Sequence, residues 1–138
     1  MIRVTADTNI LISGIIFSRG KPFQLLELAR EGKINLTVSD AILDEMADVL
    51  PRKFNFSLKG VEEARRRIQA MARTVTPGVR LDVIKEDPPD NRVWECAVSS
   101  GADYIVTRDK DPLRLDRYDA IPIVSVADFL ELERVRTL

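Results

Sequence analysis

Four acidic residues stand where the sequence suggests the edge of a folded domain: Asp7, Glu45, Asp90 and Asp109. If they share one cleft, two carboxylates about 4 Å apart repel by about 4 kcal/mol at an effective dielectric near 20. Such a cluster must take up protons or bind a cation. Ligands that are all oxygen favour Mg²⁺ or Mn²⁺ over zinc or copper. A divalent metal lowers the pKa of bound water and stabilises charge on a phosphate under attack, so the set suits phosphodiester hydrolysis.

The composition excludes several other chemistries. The chain has no histidine, which rules out a Ser-His-Asp triad, a Cys-His pair and His-ligated zinc. Cys96 is the only cysteine, so no internal disulfide can form and a reducing, cytoplasmic setting is expected. The net charge is −1, so a nucleic-acid partner would need a local basic patch. No apolar run is long enough to cross a membrane, and no signal-peptide pattern is present.

Short apolar strands alternate with helices along the 138 residues, which fit a single domain over residues 1–138. This order predicts an α/β fold, a three-layer α/β/α sandwich with a mostly parallel central sheet. Strands are predicted at residues 2–6, 34–38, 79–84, 104–107 and 121–124. Helices are predicted at residues 10–16, 23–29, 40–50, 61–73 and 90–100, with a last helix capped by Ser125 and Asp128. Pro51 should stop the third helix, leaving residues 52–60 as the least regular part.

Two of the acids follow predicted strands. Asp7 comes directly after the first strand, and Asp109 comes two residues after the strand at residues 104–107. Sites in parallel sheets form at the carboxyl ends of the strands, so the two carboxylates share one edge if the strands are neighbours. Each also has a structural interpretation, Asp7 as the N-cap of the following helix and Asp109 as a turn residue. Asp111 competes with Asp109.

The other two acids lie on predicted helices. Glu45 sits at the border of the apolar arc of its helix, where a side chain can point into a cleft or out to water. Asp90 opens a helix, and an N-cap role there is compatible with metal binding because one carboxylate oxygen can cap while the other meets a metal. Asp87 is a rival for that position.

Several stretches resemble the PIN-domain family, and in particular toxins of toxin–antitoxin pairs similar to the VapC type. The resemblance covers nearly the whole chain. It is carried by Asp7-Thr8-Asn9, by Glu45, by Asp87-Pro88-Pro89-Asp90-Asn91, and most specifically by the stretch GADYIVTRDKD at residues 101–111.

This resemblance implies cleavage of single-stranded RNA with Mg²⁺ or Mn²⁺. It assigns catalysis to Asp7, Glu45, Asp90 and Asp109, with the metal on the three aspartates. It also implies dimers and, for toxins, inhibition by a small antitoxin protein. Supporting or alternative site residues are Asn9, Asp87, Thr107 and Asp111.

Five cations could hold RNA near the acids in this topology: Arg19, Lys21, Arg92, Arg108 and Lys110. In contrast, the run 65–67 of three arginines is interpreted as a solvated helix face. Trp94 is interpreted as a core residue, since it shares a helix side with Val98. A homodimer is expected because the helix at residues 23–29 and the connection at residues 52–60 carry more apolar side chains than one small core needs.

Two rival functions remain. A phosphatase of the haloacid-dehalogenase kind also places an aspartate after its first strand, but it needs a second acid where this chain has Asn9. A non-catalytic RNA-binding module would bind RNA without needing a metal. A P-loop enzyme is excluded because the chain has no GK[ST] loop.

Overall fold

A computed structural model describes residues 1–78, 88–107, 117–118 and 121–136, with side chains for all of these except residues 88–91, 117–118 and 135–136. The strands are β1 (Arg3–Ala6), β2 (Asn35–Ser39), β3 (Ala72–Val75), β4 (Tyr104–Thr107), β5 (Arg117–Tyr118) and β6 (Ile121–Ser125). The helices are α1 (Thr8–Ile16), α2 (Lys21–Arg30), α3 (Asp40–Phe54), α4 (Leu58–Met71), α5 (Pro88–Ser100) and α6 (Val126–Arg136).

The strands of the described chain form one sheet in the order β3-β2-β1-β4-β6-β5. All neighbours are parallel except β5, which pairs antiparallel with β6. Helices flank the sheet on both faces, which confirms the predicted three-layer α/β/α fold. None of the helices described combines the length and apolarity that crossing a membrane requires.

The central strands are buried on both faces. Consecutive residues Val4, Thr5 and Ala6 are inaccessible to solvent, although alternate side chains in a strand point to opposite faces. This is the pattern of a parallel sheet covered by helices on both sides. The rings of Tyr104 on β4 and Phe129 on α6 pack in a T-shaped arrangement, with centroids 5.7 Å apart.

The sequence prediction was wrong about the third helix. Pro51 lies inside α3, which continues to Phe54. Proline removes one backbone donor, but the helix ends within its next turn, where the backbone N–H of left-handed Asn55 donates to the Leu50 carbonyl. The predicted irregular connection is therefore only residues 55–57, because α4 begins at Leu58 with Ser57 as its N-cap. Asparagine tolerates this positive φ better than most residues.

A strand was also missed. Residues 72–75 form β3, whereas the predicted helix continued to Arg73. Only β2 pairs with β3 in the described chain, and Arg73 and Thr74 are exposed there, so the strand lacks the apolar alternation that would have revealed it. The strand predicted at residues 79–84 lies outside the described residues. The caps predicted at Ser39 and Ser125 are confirmed, since their hydroxyls accept from Ile42 N and Asp128 N.

Candidate active site

Asp7 lies at the carboxyl edge of the sheet, the edge at which the parallel strands end. Its backbone N–H donates to the Val106 carbonyl of β4 at 3.1 Å. Its carboxylate oxygen Oδ1 accepts from the Ile10 N–H at 2.9 Å, which makes Asp7 the N-cap of α1. The positive end of the α1 dipole favours negative charge at this position. The capping interpretation is therefore correct, and it coexists with a position at the edge where sites form.

The strand that leads toward Asp109 lies directly beside Asp7. β1 and β4 are parallel neighbours, with Ala6 opposite Val106. Thr107 is the last residue of β4, is half-buried, and donates its hydroxyl to the Val124 carbonyl at 3.5 Å. The strands that precede Asp7 and Asp109 are therefore parallel neighbours, which is the condition on which a shared edge depended. Asp109 itself lies outside the described residues, as do Asp87, Asp111, Arg108 and Lys110.

Glu45 lies in the second turn of α3, which begins where β2 ends at the same edge. It is half-buried, between buried Ile42 and Met46 on one side and exposed Asp44 on the other. This matches the border position that the helical periodicity predicted. α3 packs against both α1 and α5, so the helix with Glu45 contacts the helix that Asp7 caps and the helix that contains Asp90.

The backbone of Asp90 lies in the first turn of α5. This helix begins at Pro88, two residues earlier than predicted, so Asp90 is not its N-cap. Proline is favoured at a first helical position because the amide there has no partner in the helix. The side chain of Asp90 is outside the described part of the chain, so the structure does not test it as a metal ligand.

Part of the acidic set is therefore placed. Two side chains, Asp7 and Glu45, and the helix turn with Asp90 belong to elements that begin or end at one edge. Among the side chains described, no group of three or more aspartates, glutamates or cysteines is arranged to hold a metal. The donors that are placed are carboxylate oxygens, which suit a hard divalent cation such as Mg²⁺ or Mn²⁺. Binding by Asp7, Asp90 and Asp109 together stays a prediction.

The candidate RNA contacts differ in exposure. Arg19 and Lys21 are exposed around Gly20, whose positive φ of 115° turns the chain between α1 and α2. Asn9 is exposed in the first turn of α1. In contrast, the side chain of Arg92 is only 17% exposed and its Nε lies 3.1 Å from Oε1 of Glu95, which is 5% exposed.

The buried ion pair on α5 was missed by the sequence analysis. Its signal is present in hindsight: Arg92 and Glu95 stand three residues apart on a helix, where such side chains meet. The intervening Val93 and Trp94 and the following Cys96 are all buried, and Glu95 between them is buried as well. The interpretation of Trp94 as a core residue is confirmed.

The arginine run of α4 is only partly a free solvated face. Arg66 and Arg67 are exposed as expected. Arg65, however, donates to Asp44 Oδ1 at 3.0 Å and lies 3.8 Å from Asp40 Oδ1. The pair ties α4 to the first turns of α3, near Glu45. Because both aspartates are largely exposed, the contribution of these pairs to stability is small.

The only cysteine of the chain is not a candidate nucleophile. Cys96 is buried, and burial raises the pKa of its thiol to about 11, against the opposing effect of hydrogen bonds with Thr37 and Thr5. The hydroxyl oxygens of those threonines lie 2.5 Å apart, and Ser100 Oγ lies 3.3 Å from Thr37 Oγ1. A thiol with so high a pKa is protonated near neutral pH and reacts poorly, so the cluster holds β1, β2 and α5 together.

Comparison with known proteins shows which proteins this chain resembles. The family model described as PIN domain matches residues 3–111, a span that contains all four candidate acids. "Uncharacterized protein MJ1680" from Methanocaldococcus jannaschii is 30% identical over 118 residues, which cover 83% of this chain and 75% of that protein. A chain in the crystal structure of VapBC2 from Rickettsia felis bound to a DNA fragment from their promoter superimposes with a TM-score of 0.66 and 14% identity. That match covers 91% of this chain and 98% of the other, and at this identity it concerns the fold alone.

Proposed function

Since the chain belongs to the PIN-domain family, whose members are generally nucleases, we propose that it is a metal-dependent endoribonuclease that hydrolyses single-stranded RNA. The observation that carries the proposal is the place of Asp7. It ends a central strand, caps α1 and adjoins β4, the strand that leads to Asp109. In this proposal residues 1–138 form a single nuclease domain.

We assign the roles of the acids as the resemblance to the PIN-domain family implies. Asp7, Asp90 and Asp109 hold the metal, with Asp87 and Asp111 as alternatives for the last two. Bound there, Mg²⁺ or Mn²⁺ would polarise the phosphate and lower the pKa of an attacking water. Glu45, half-buried on the flank of α3, is the fourth carboxylate of the cleft. Thr107 and Asn9 lie at the same edge and are the supporting residues of the proposed site.

Local positive charge must hold the RNA, because the whole chain has a net charge of −1. Arg19 and Lys21 are exposed after α1, where a phosphate could approach them. Arg92 is half-buried on α5, and its Nε lies 3.1 Å from Oε1 of Glu95. Arg108 and Lys110 flank Asp109 in the sequence and complete the proposed set.

The fold match is the motive for a protein partner. The matched structure is of VapBC2, and we propose that this chain acts in the cytoplasm as a toxin controlled by a small antitoxin.

A homodimer is also proposed, through the face of α2 and α6. A groove of about 690 Å³ lies between these helices, and its apolar lining residues are Leu28, Ala127 and Leu130.

We expect purified protein to cleave a single-stranded RNA in Mg²⁺ or Mn²⁺ and to lose this activity in EDTA. The reason is that in the proposed reaction a bound cation activates the attacking water and offsets the charge on the phosphate. Gel analysis of a labelled RNA checks the result, with duplex RNA and p-nitrophenyl phosphate as comparison substrates. Equal cleavage with and without metal would contradict the proposal. Metal-independent RNA binding without cleavage would favour the non-catalytic module, and hydrolysis of the small phosphate ester alone would favour a phosphatase.

A further inference from the structure

α3 and α4 form a helical hairpin joined by residues 55–57. The end of this hairpin combines exposed apolar side chains with positive charge. We call residues 52–59 the hairpin tip. Arg65 of α4 donates to Asp44 of α3, and the ring of Phe56 packs against the core. The contact of Phe56 with the core therefore attaches the hairpin tip to the rest of the domain.

Two large apolar side chains of the tip face solvent. Phe54 is 42% exposed and Leu58 is 77% exposed, and neither belongs to the core. Phe54 is the last residue of α3 and Leu58 is the first of α4, so the short connection brings them to the same end of the hairpin. An exposed aromatic ring at a fixed position can stack on a flat ligand.

The tip is also cationic in an otherwise slightly acidic chain. Between Asp48 and Glu62 the sequence contains Arg52, Lys53 and Lys59 and no acid. Arg52 pairs with Asp48 at 3.1 Å. Neither Lys53 nor Lys59 makes an ion pair with any residue that the structure describes.

Helix stability does not account for Lys59. It lies in the first turn of α4, which contains no acid, and a positive charge there opposes the helix dipole. By contrast, Arg52 and Lys53 in the last turn of α3 have a favourable dipole interaction. A lysine at an unfavourable helix position, at the same end of the hairpin as an exposed ring, suggests a partner that is negatively charged.

We propose that the hairpin tip binds the single-stranded RNA of the proposed nuclease at nucleotides away from the cleaved bond. Unpaired RNA offers both features that the tip matches, phosphates for Lys53 and Lys59 and base faces for Phe54. A second copy of this chain fits less well. A two-fold interface would bring the same cations of both copies together, and like charges in an interface disfavour association.

The path from the acids to the tip runs along one helix. Glu45 and Arg52 are seven residues apart, which places them on the same flank of α3 two turns apart, about 10 Å along its axis. Phe54 is a further two residues on. An RNA strand with its cleaved phosphate near Glu45 could therefore reach the tip with its neighbouring nucleotides. Binding energy from such remote nucleotides can be used to position the reacting bond.

The test measures RNA binding in EDTA, so that it does not depend on cleavage. The probe is a fluorescein-labelled polyuridylate of roughly 15 nucleotides, near the upper end of the site sizes of single-strand binders. Anisotropy titrations compare wild type with Phe54→Ala, Phe54→Tyr and the double variant Lys53→Gln with Lys59→Gln. Since these side chains lie outside the core, the variants should fold, and a thermal melt checks this.

We expect Phe54→Ala to weaken binding about fivefold to a hundredfold, the range for a lost base stack, and Phe54→Tyr to retain most of the affinity. The double lysine variant should lower the slope of log K against log salt by about 1.4, because each phosphate contact to a single strand contributes about 0.7. The matched control, Arg30→Gln with Lys33→Gln, removes two exposed cations near the opposite edge of the sheet. It should leave the slope unchanged.

Each other outcome overturns the inference. If wild type binds the probe and the tip variants bind equally well, the tip is not an RNA surface, while the proposed function stands. If wild type shows no binding in EDTA, the tip is not an RNA surface, while the proposed function is decided separately by the cleavage assay in Mg²⁺ or Mn²⁺. If the tip variants lose only self-association in light scattering, the tip joins two copies. If they lose only binding to vesicles of phosphatidylserine and phosphatidylcholine, the partner is a membrane surface.

Discussion

Asp7→Asn is expected to remove RNA cleavage, by on the order of 10²- to 10³-fold or more, and to leave the fold intact. The loss should be at least that of a group that stabilises transition-state charge, because asparagine lacks the negative charge that holds a cation. The fold should survive because the Asp7 side chain caps α1 through Oδ1, which accepts from Ile10 N at 2.9 Å. Asparagine offers the same acceptor and is as good an N-cap as aspartate.

Two matched variants separate charge from capping. Asp7→Ala should be inactive and also less stable by about 1 kcal/mol, because it loses the cap. Asp103→Asn makes the same chemical change at the opposite edge of the sheet, where Asp103 accepts from Arg3 N at 2.8 Å, and it should keep its activity. Turnover rates and thermal melts of the three variants give the answer. A well-folded Asp7→Asn protein with near wild-type turnover would place the active site elsewhere.

The second large effect is expected on stability, at the ion pair of α5. Glu95→Gln removes the carboxylate that faces the guanidinium of Arg92 at 3.1 Å, with both side chains mostly enclosed. A buried positive charge is then less well compensated, and breaking one side of a buried pair typically costs about 3–5 kcal/mol. We expect the melting temperature to fall by roughly 10 °C. Thermal denaturation followed by circular dichroism measures it.

The double variant Arg92→Met with Glu95→Met is the control for this prediction. Replacing both charges of a buried pair by apolar side chains is often neutral or stabilising, so the double variant should melt close to wild type. It should nevertheless bind RNA more weakly, because Arg92 is a proposed phosphate contact. A Glu95→Gln protein as stable as wild type would mean that the pair adds little, and equal RNA binding by the double variant would remove Arg92 from the RNA site.

Much of the fold could be predicted because apolar patterning is local. The short apolar runs before Asp7 and after Asp103 predicted β1 and β4, and the alternation of strands and helices predicted a mostly parallel sheet, whereas the direct pairing of β1 with β4 is a finding of the structure. The features missed depend on tertiary contacts. The continuation of α3 past Pro51 relies on a left-handed cap at Asn55, and β3 is too polar to show strand alternation.

The candidate site was predictable in outline for a similar reason. A residue's position at a strand end can be read from the sequence, and Asp7 and Thr107 lie where that reading placed them. Which carboxylates meet depends on loop conformation, which local patterns do not determine. The burial of Glu95 was missed because glutamate on a helix is ordinarily exposed, whereas here it is enclosed beside Arg92.

Titration of metal-free protein with Mn²⁺, followed by the electron paramagnetic resonance signal of the free ion, tests most directly that these carboxylates hold a metal. Wild type and Asp103→Asn should remove Mn²⁺ from solution in a saturable way that Mg²⁺ reverses, whereas Asp7→Asn should leave nearly all of it free. The bound metal should also raise the melting temperature of wild type and not of Asp7→Asn, because only the native site binds it. Equal Mn²⁺ binding by wild type and Asp7→Asn would contradict a metal centre at the end of β1.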